Sequence, residues 1–259
     1  MDPHRTHRRA VRTLTGALLA AAALTACSDQ PPATGGPAPD SPSVLTPTTQ
    51  VTPSGAGTSE PPTGPAVTPP ATWPAFSSSV GPVATERLAT TWRPGCPVGA
   101  DALRLVTLTY ATFEGTAATG ELILSAEVVD DVVDAFGELY AARFPIRKMI
   151  TMEAYGGDDL RAAAEDNTSG FNCRPVLGTD RWSQHSYGYA VDINPLENPY
   201  LVGAEIRPPA GDAYLDRSDL RPGMIVEGDV VVQAFTSRGF DWGGRFQDTP
   251  DYQHFALPR

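Results

Sequence analysis

Two short stretches of the chain concentrate residue types suited to hydrolytic chemistry. The first is Ser183-Gln184-His185-Ser186-Tyr187-Gly188-Tyr189-Ala190-Val191-Asp192, and the second is Asp251-Tyr252-Gln253-His254-Phe255. A catalytic zinc site takes about three protein ligands and keeps one position open for water. His185, Asp192 and His254 can supply those three ligands, two imidazoles and a carboxylate. Asp251 lies three residues before His254, so a turn or local bulge there would aim its carboxylate at the water. A carboxylate so placed can take a proton as water attacks a carbonyl and pass it to the leaving amine. Zinc with two aspartates is close to neutral, so the charge of a tetrahedral intermediate calls for a nearby cation. Arg174 and Arg181 are the upstream candidates. By spacing alone the signal is moderate, because an isolated histidine is more often a packed or surface residue than a ligand.

These residues need a fold to position them, and residues 85–259 are expected to provide it. That is about 175 residues, enough for one core. Residues 102–110 alternate and are rich in Leu, Val, Thr and Tyr, which predicts a strand, and Gly120 to Leu124 predicts a second. Ser125 then reads as an N-cap. Behind it Val128, Val129, Val132, Val133, Phe136, Leu139 and Tyr140 recur at helical spacing, with Asp130, Asp131, Asp134 and Glu138 facing away. Pro145 should end that helix. Strands are expected over 147–153, 188–193 and 252–257, and a short helix over 229–238, closed by Gly239. Helices and strands mix without a βαβ rhythm, so the fold class is α+β: a small, mostly antiparallel sheet flanked by helices.

Ahead of the domain the sequence reads as an export signal and a tether. The chain has 259 residues and a formal net charge of −11, from 19 basic and 30 acidic residues. An acidic chain without a basic run is a poor nucleic-acid binder, which sets that class aside. Arg5, Arg8, Arg9 and Arg12 precede an uncharged, mostly apolar run over 13–24. The run is shorter than the roughly 20 residues of a membrane-spanning helix and fits a secretory signal. It ends in Leu24-Thr25-Ala26-Cys27, which resembles a bacterial lipobox with Cys27 as the lipidated residue. Residues 1–26 are therefore expected to be a lipoprotein signal and 27–84 a Pro/Ser/Thr-rich disordered tether, holding the domain at the bacterial cell envelope, extracytoplasmic and lipid-anchored. Between Ser28 and Pro74 there are 13 prolines and three charged residues, too little apolar surface to offset the entropy of ordering.

The pattern Ser-x-His-x-x-Gly-x-Ala-x-Asp, carried by Ser183, His185, Gly188, Ala190 and Asp192, resembles the signature of VanY-type zinc D-alanyl-D-alanine carboxypeptidases. Their superfamily includes L-alanyl-D-glutamate endopeptidases and the Hedgehog-like metal fold. The closing Asp251-x-x-His254-Phe255, with Gly243-Gly244 before it, matches the last motif, and the stretch Phe171 to Val176 looks familial. The resemblance spans about Cys96 to Phe255. It implies a DD-peptidase-like zinc fold, one Zn2+ per chain on His185, Asp192 and His254, and Asp251 as general base and acid. It also implies an arginine for substrate and oxyanion, assigned to Arg174, with Ser183, Arg181 and Trp242 near the substrate. Gly188 and Ala190 would pack closely around the ligands. Ala256 departs from the many relatives that carry an acidic residue there. The implied activity is removal of the terminal D-alanine from peptidoglycan stem peptides, and the protein is expected to be a monomer. The alternatives are an L-alanyl-D-glutamate endopeptidase, a cell-wall-binding lipoprotein that does not cut, and a structural lipoprotein with an incidental histidine pair.

Other residues carry weaker expectations. Ser183, His185 and Asp192 are too crowded for a serine triad, and no Gly-x-Ser-x-Gly elbow is present. Trp182 and Trp242 flank the motifs and read equally as cleft lining or packing. Glu197 and Asn198 read as a solvated turn. With Cys27 lipidated, Cys96 and Cys173 remain and are expected to pair outside the membrane.

Overall fold

The computed structural model describes residues 73–259. The expected signal segment, Cys27 and most of the expected tether lie outside the described residues. Residues 73–84, expected in the tether, are instead part of the domain. Strand β1 (Ser78–Pro82) runs antiparallel to β2 (Leu103–Ala111), with Ser78 opposite Leu108 and Pro82 opposite Arg104. Just before it Trp73 and Phe76 lie against Tyr140, whose hydroxyl donates to the Pro74 carbonyl at 2.8 Å. Composition conceals this boundary, because an edge strand is held through its backbone and needs no apolar period of its own.

Strand β3 (Ala117–Ser125) pairs with β2 along its whole length. The two-residue period of the pair sends Val106, Leu108, Leu122 and Leu124 to the main core, and Leu103 and Ile123 to a smaller one. The expected strands over 102–110 and 120–124 are thus one long hairpin. Helix α1 (Val129–Ala141) covers the main core with Val129, Val132, Phe136 and Leu139, while Asp130 and Asp131 sit in its first turn. Ser125 does not cap it. Its Oγ accepts from the Glu127 N–H at 3.2 Å inside the preceding turn, its own N–H donates to the Gly188 carbonyl at 3.0 Å, and Val128 occupies the cap position.

The strand expected over 147–153 is cut short. Only β4 (Lys148–Met149) forms, parallel to a strand that follows α2 (Asp159–Ala164), namely β5 (Asn167–Thr168). The Asn167 side chain bonds both the N–H and the carbonyl of Ile150, each at 2.9 Å, and so occupies the groups that the next ladder step needs. A 3-10 turn over Met152–Tyr155 follows.

The second half builds around β6 (Ala190–Asp192) and a hairpin of β7 (Tyr200–Val202) and β8 (Glu205–Arg207). Helix α3 (Val230–Thr236), β9 (Asp241–Trp242) and β10 (His254–Ala256) complete it. Asp229 caps α3 by accepting from the Val232 N–H at 2.8 Å, and Gly239 follows at φ +87°. Strand β10 is central in a sheet ordered β6-β10-β9, both pairings antiparallel. Phe235 of α3 stacks on Phe255 of β10 at 4.7 Å and meets Phe136 of α1 edge-on at 6.0 Å, which joins both halves in one core. In place of one sheet the domain has several small, mainly antiparallel ones with few helices, an arrangement compatible with the α+β class.

Cys96 and Cys173 are joined by a disulfide beside the smaller core. Glu197 and Asn198 are not a solvated turn: both are buried. Asn198 donates to the Gly223 carbonyl at 2.8 Å and accepts from Arg217 at 2.9 Å, while Glu197 sits near Asp166 and Arg147. Their polarity suggested solvent, but their partners come from segments far along the chain.

Candidate metal centre

His185 lies in a 3-10 turn, Gln184–Tyr187, that opens on Ser183 and closes on Gly188. The Ser183 Oγ accepts from the His185 N–H at 3.3 Å, so this serine orients the turn. Gly188 has φ +72°, and a Cβ there would stand 2.5 Å from the Ser125 nitrogen. Only glycine lets the turn pack this closely on the end of β3. The His185 Nδ1 donates to the Gly170 carbonyl at 2.7 Å, which leaves Nε2 as the inward-facing lone pair.

Asp192 ends β6, and its partner across the ladder is His254 at the start of β10. The His185 Nε2 lies 3.1 Å from Asp192 Oδ2, and the His254 Nδ1 lies 2.9 Å from Asp192 Oδ1. The two imidazole nitrogens are 3.3 Å apart. One atom from each of the three residues falls within 4.8 Å of the others, a convergence found in one group among the described residues. Burial works to raise the Asp192 pKa, but His185 and His254 outweigh it and hold the carboxyl far below the usual range. Burial works to lower that of His254, and Asp192 outweighs it and raises the imidazole.

This donor set fits zinc. Two imidazole nitrogens and a carboxylate converge from separate segments, and His185 is oriented from behind by a backbone carbonyl. They leave a face toward a cleft of about 850 Å³. Three N/O ligands with an open side is the pattern of a catalytic site and not of a structural one.

Asp251 reaches the same cleft from the turn preceding β10. Its N–H donates to the Gly243 carbonyl at 2.9 Å, and its own carbonyl accepts from the His254 N–H at 3.2 Å. A Cβ on Gly243 would stand 2.5 Å from the Asp251 carbonyl oxygen, so the glycine permits this approach. Burial pushes the Asp251 carboxyl up to about 6, with Asp192 adding to the rise and His254 opposing it. Its Oδ1 is buried without a hydrogen-bond partner among the described residues. A carboxylate with one buried, unpartnered oxygen and a pKa raised toward neutrality has the attributes of a general base.

Arg174 and Arg181 both line the cleft. The Arg174 guanidinium acts on the His254 charge and forms an ion pair with Asp159, also a cleft residue. Asp159 belongs to none of the motifs that point to the site, and nothing in its spacing singles it out. Trp182 lines the cleft, whereas Trp242 does not. Trp242 is buried in the main core, stacked with Phe255, and donates from Nε1 to the Tyr252 carbonyl at 2.9 Å. Its expected place beside the substrate is therefore corrected: β9 turns it inward, where its N–H finds a backbone acceptor.

Residues 177–257, which hold His185, Asp192, Asp251 and His254, match the family model described as D-alanyl-D-alanine carboxypeptidase. The match supports the VanY-type family and a peptidase acting on peptidoglycan. No curated protein and no solved structure matches the chain.

Proposed function

We propose, from the VanY-type signature of this domain, that the protein is a zinc-dependent D-alanyl-D-alanine carboxypeptidase that removes the terminal D-alanine of peptidoglycan stem peptides. The observation that carries this reading is the convergence of His185, Asp192 and His254 in a cleft where Asp251 offers a carboxylate with one buried, unpartnered oxygen. Zinc bound there would polarise the scissile carbonyl and lower the pKa of water. Asp251, ionised above about pH 6, takes the proton of the attacking water. It then delivers that proton to the amide nitrogen as the carbon–nitrogen bond breaks, and D-alanine leaves as the free amine. Arg174 faces the negative charge that develops on the carbonyl oxygen. The Hedgehog-like zinc fold belongs to the same proposal, as does attachment to the cell membrane through lipid on Cys27.

The test is incubation of the full chain with a peptidoglycan pentapeptide, with product masses read with and without chelator. Loss of one alanine, abolished by chelation and restored by zinc, is the expected result. Cleavage between L-alanine and D-glutamate would keep the site and make the protein the endopeptidase. Bound zinc without any cleavage would favour a cell-wall-binding module, and absence of bound zinc would remove the reading.

A further inference from the structure

Asp159 is the first residue of α2 and lies on the cleft wall. It also borders a small cavity of about 20 Å³ that Asp192 lines as well, so it stands close behind the metal-binding group. Neither of its carboxylate oxygens is free. Oδ1 accepts from the Asn172 Nδ2 at 2.7 Å, and Oδ2 forms the ion pair with the Nε edge of Arg174. Asn172 is itself buried and held, with the same Nδ2 donating to the Gly157 carbonyl at 2.9 Å. The backbone of Arg174 is fixed independently: its N–H donates to the Ser186 Oγ at 2.8 Å, and Ser186 donates to the Arg174 carbonyl at 2.6 Å.

Arginine carries several rotatable bonds, and fixing its backbone does not fix its guanidinium. Asp159 supplies the missing restraint, with Asn172 as its anchor. It pairs with the guanidinium at its Nε edge, although Nε itself makes no hydrogen bond among the described residues, while Nη1 reaches only the Pro175 carbonyl at 3.4 Å and Nη2 makes no hydrogen bond. The terminal nitrogens are the donors left for a substrate oxygen. A carboxylate whose two oxygens are both committed is neither a metal ligand nor a base, and it stands outside the His185, Asp192 and His254 group.

We propose that Asp159 is a positioning residue that acts through Arg174, holding the guanidinium aimed at the oxyanion or carboxylate of a peptide in the cleft. This rests on the peptidase reading above. Positioning contributes to the transition state more than to ground-state binding. Asp159→Asn keeps the hydrogen bond from Asn172 but loses the charge that pairs with the guanidinium.

The test uses the full chain, with Asp159→Asn, Asp159→Glu, Arg174→Ala and the double variant Asp159→Asn/Arg174→Ala. Asp159→Asn should lower kcat about tenfold with KM within about twofold, and Asp159→Glu should recover most of the loss. Zinc content and melting temperature should stay at wild-type values. The double variant should be no slower than Arg174→Ala alone, since Asp159 acts only through the arginine. In metal-free protein, the order parameter of the Arg174 Nε–H vector should be high in wild type and Asp159→Glu, and should fall in Asp159→Asn. Losses that multiply in the double variant, or an unchanged order parameter in Asp159→Asn, would overturn the proposal.

If wild type cuts no stem peptide, the peptidase reading fails separately, and the order of the Arg174 side chain decides this one. A fall in the Nε–H order parameter in Asp159→Asn, with recovery in Asp159→Glu, upholds the role of Asp159, and an unchanged value in Asp159→Asn overturns it.

Discussion

His254 faces Asp192 directly across the β6–β10 ladder, and its Nδ1 lies 2.9 Å from the carboxylate. Two of the three candidate ligands are thus placed by one antiparallel register, and a slip of one residue would turn one of them to the opposite face. The same short strand brings Asp251 into reach through the turn that precedes it. Candidate ligand and candidate base are coupled in sequence but differ in chemistry, and substitutions separate them.

Asp192→Ala should lose zinc, because it removes one of three ligands. Asp251→Asn should keep zinc and lower kcat by about 10²-fold or more, the scale of general acid–base catalysis. Metal analysis alongside turnover distinguishes the two. Full turnover in Asp251→Asn would end the proposed mechanism. In the wild type, kcat/KM should fall on the acid side with a limb at or below about pH 6, since protonation of Asp251 removes the base and a nearby cation lowers its pKa.

Stability should carry its own pH dependence, set away from the metal group. Burial first, and then the neighbouring Asp166, push the Glu197 carboxyl from 4.5 up to about 8. The folded state keeps a proton that the unfolded chain releases above pH 4.5. The stabilisation is therefore fully present below about 4.5 and is lost as pH rises toward about 8, by an amount on the order of a few kcal/mol. Melting curves across that range should show the decline, and Glu197→Gln should flatten it. An unchanged slope in that variant would assign the dependence to other groups.

The Cys96–Cys173 bond closes a loop with a sequence separation of 77. Opening it by Cys173→Ser should cost roughly 2–5 kcal/mol, chiefly through greater freedom of the unfolded chain. Chemical denaturation measures that cost directly. Alkylation without reductant should leave the mass of the native protein unchanged, whereas labelling of Cys96 and Cys173 would contradict the bond.

The two tryptophans beside the motifs should answer differently to truncation. Trp242→Ala empties a buried position in the main core and should cost about 3–5 kcal/mol. Trp182→Ala alters the cleft wall and should show mainly in KM for the peptide. Equal stability losses with unchanged KM in both would place Trp182 in the core role as well.

The candidate metal group was legible in the sequence because ligand chemistry constrains residue type: beyond residue 26, His185 and His254 are the only histidines. Asp251 was legible through its spacing from His254. The long hairpin and α1 followed from regular period and composition. What escaped depends on partners remote in the chain. Asn167 ends β4 through its side chain, and Glu197 is buried because Arg147 and Asp166 come to meet it. Trp242 faces inward because an acceptor waits at Tyr252. Asp159 has meaning only through its contact with Arg174. Each of these is a polar group placed by tertiary structure, and no local pattern encodes that.

Strand β1 has a consequence for where the domain can safely be cut. It forms the outer rail of the β1-β2-β3 sheet and covers the free edge of β2 from Arg104 to Leu108. Trimming the chain at residue 85, where the proline-rich composition places the border, would strip that rail away. A bare row of amide and carbonyl groups on a strand containing Val106 and Leu108 would then face solvent, a template for pairing with another copy. The segment that reads as spacer is also a guard against self-association.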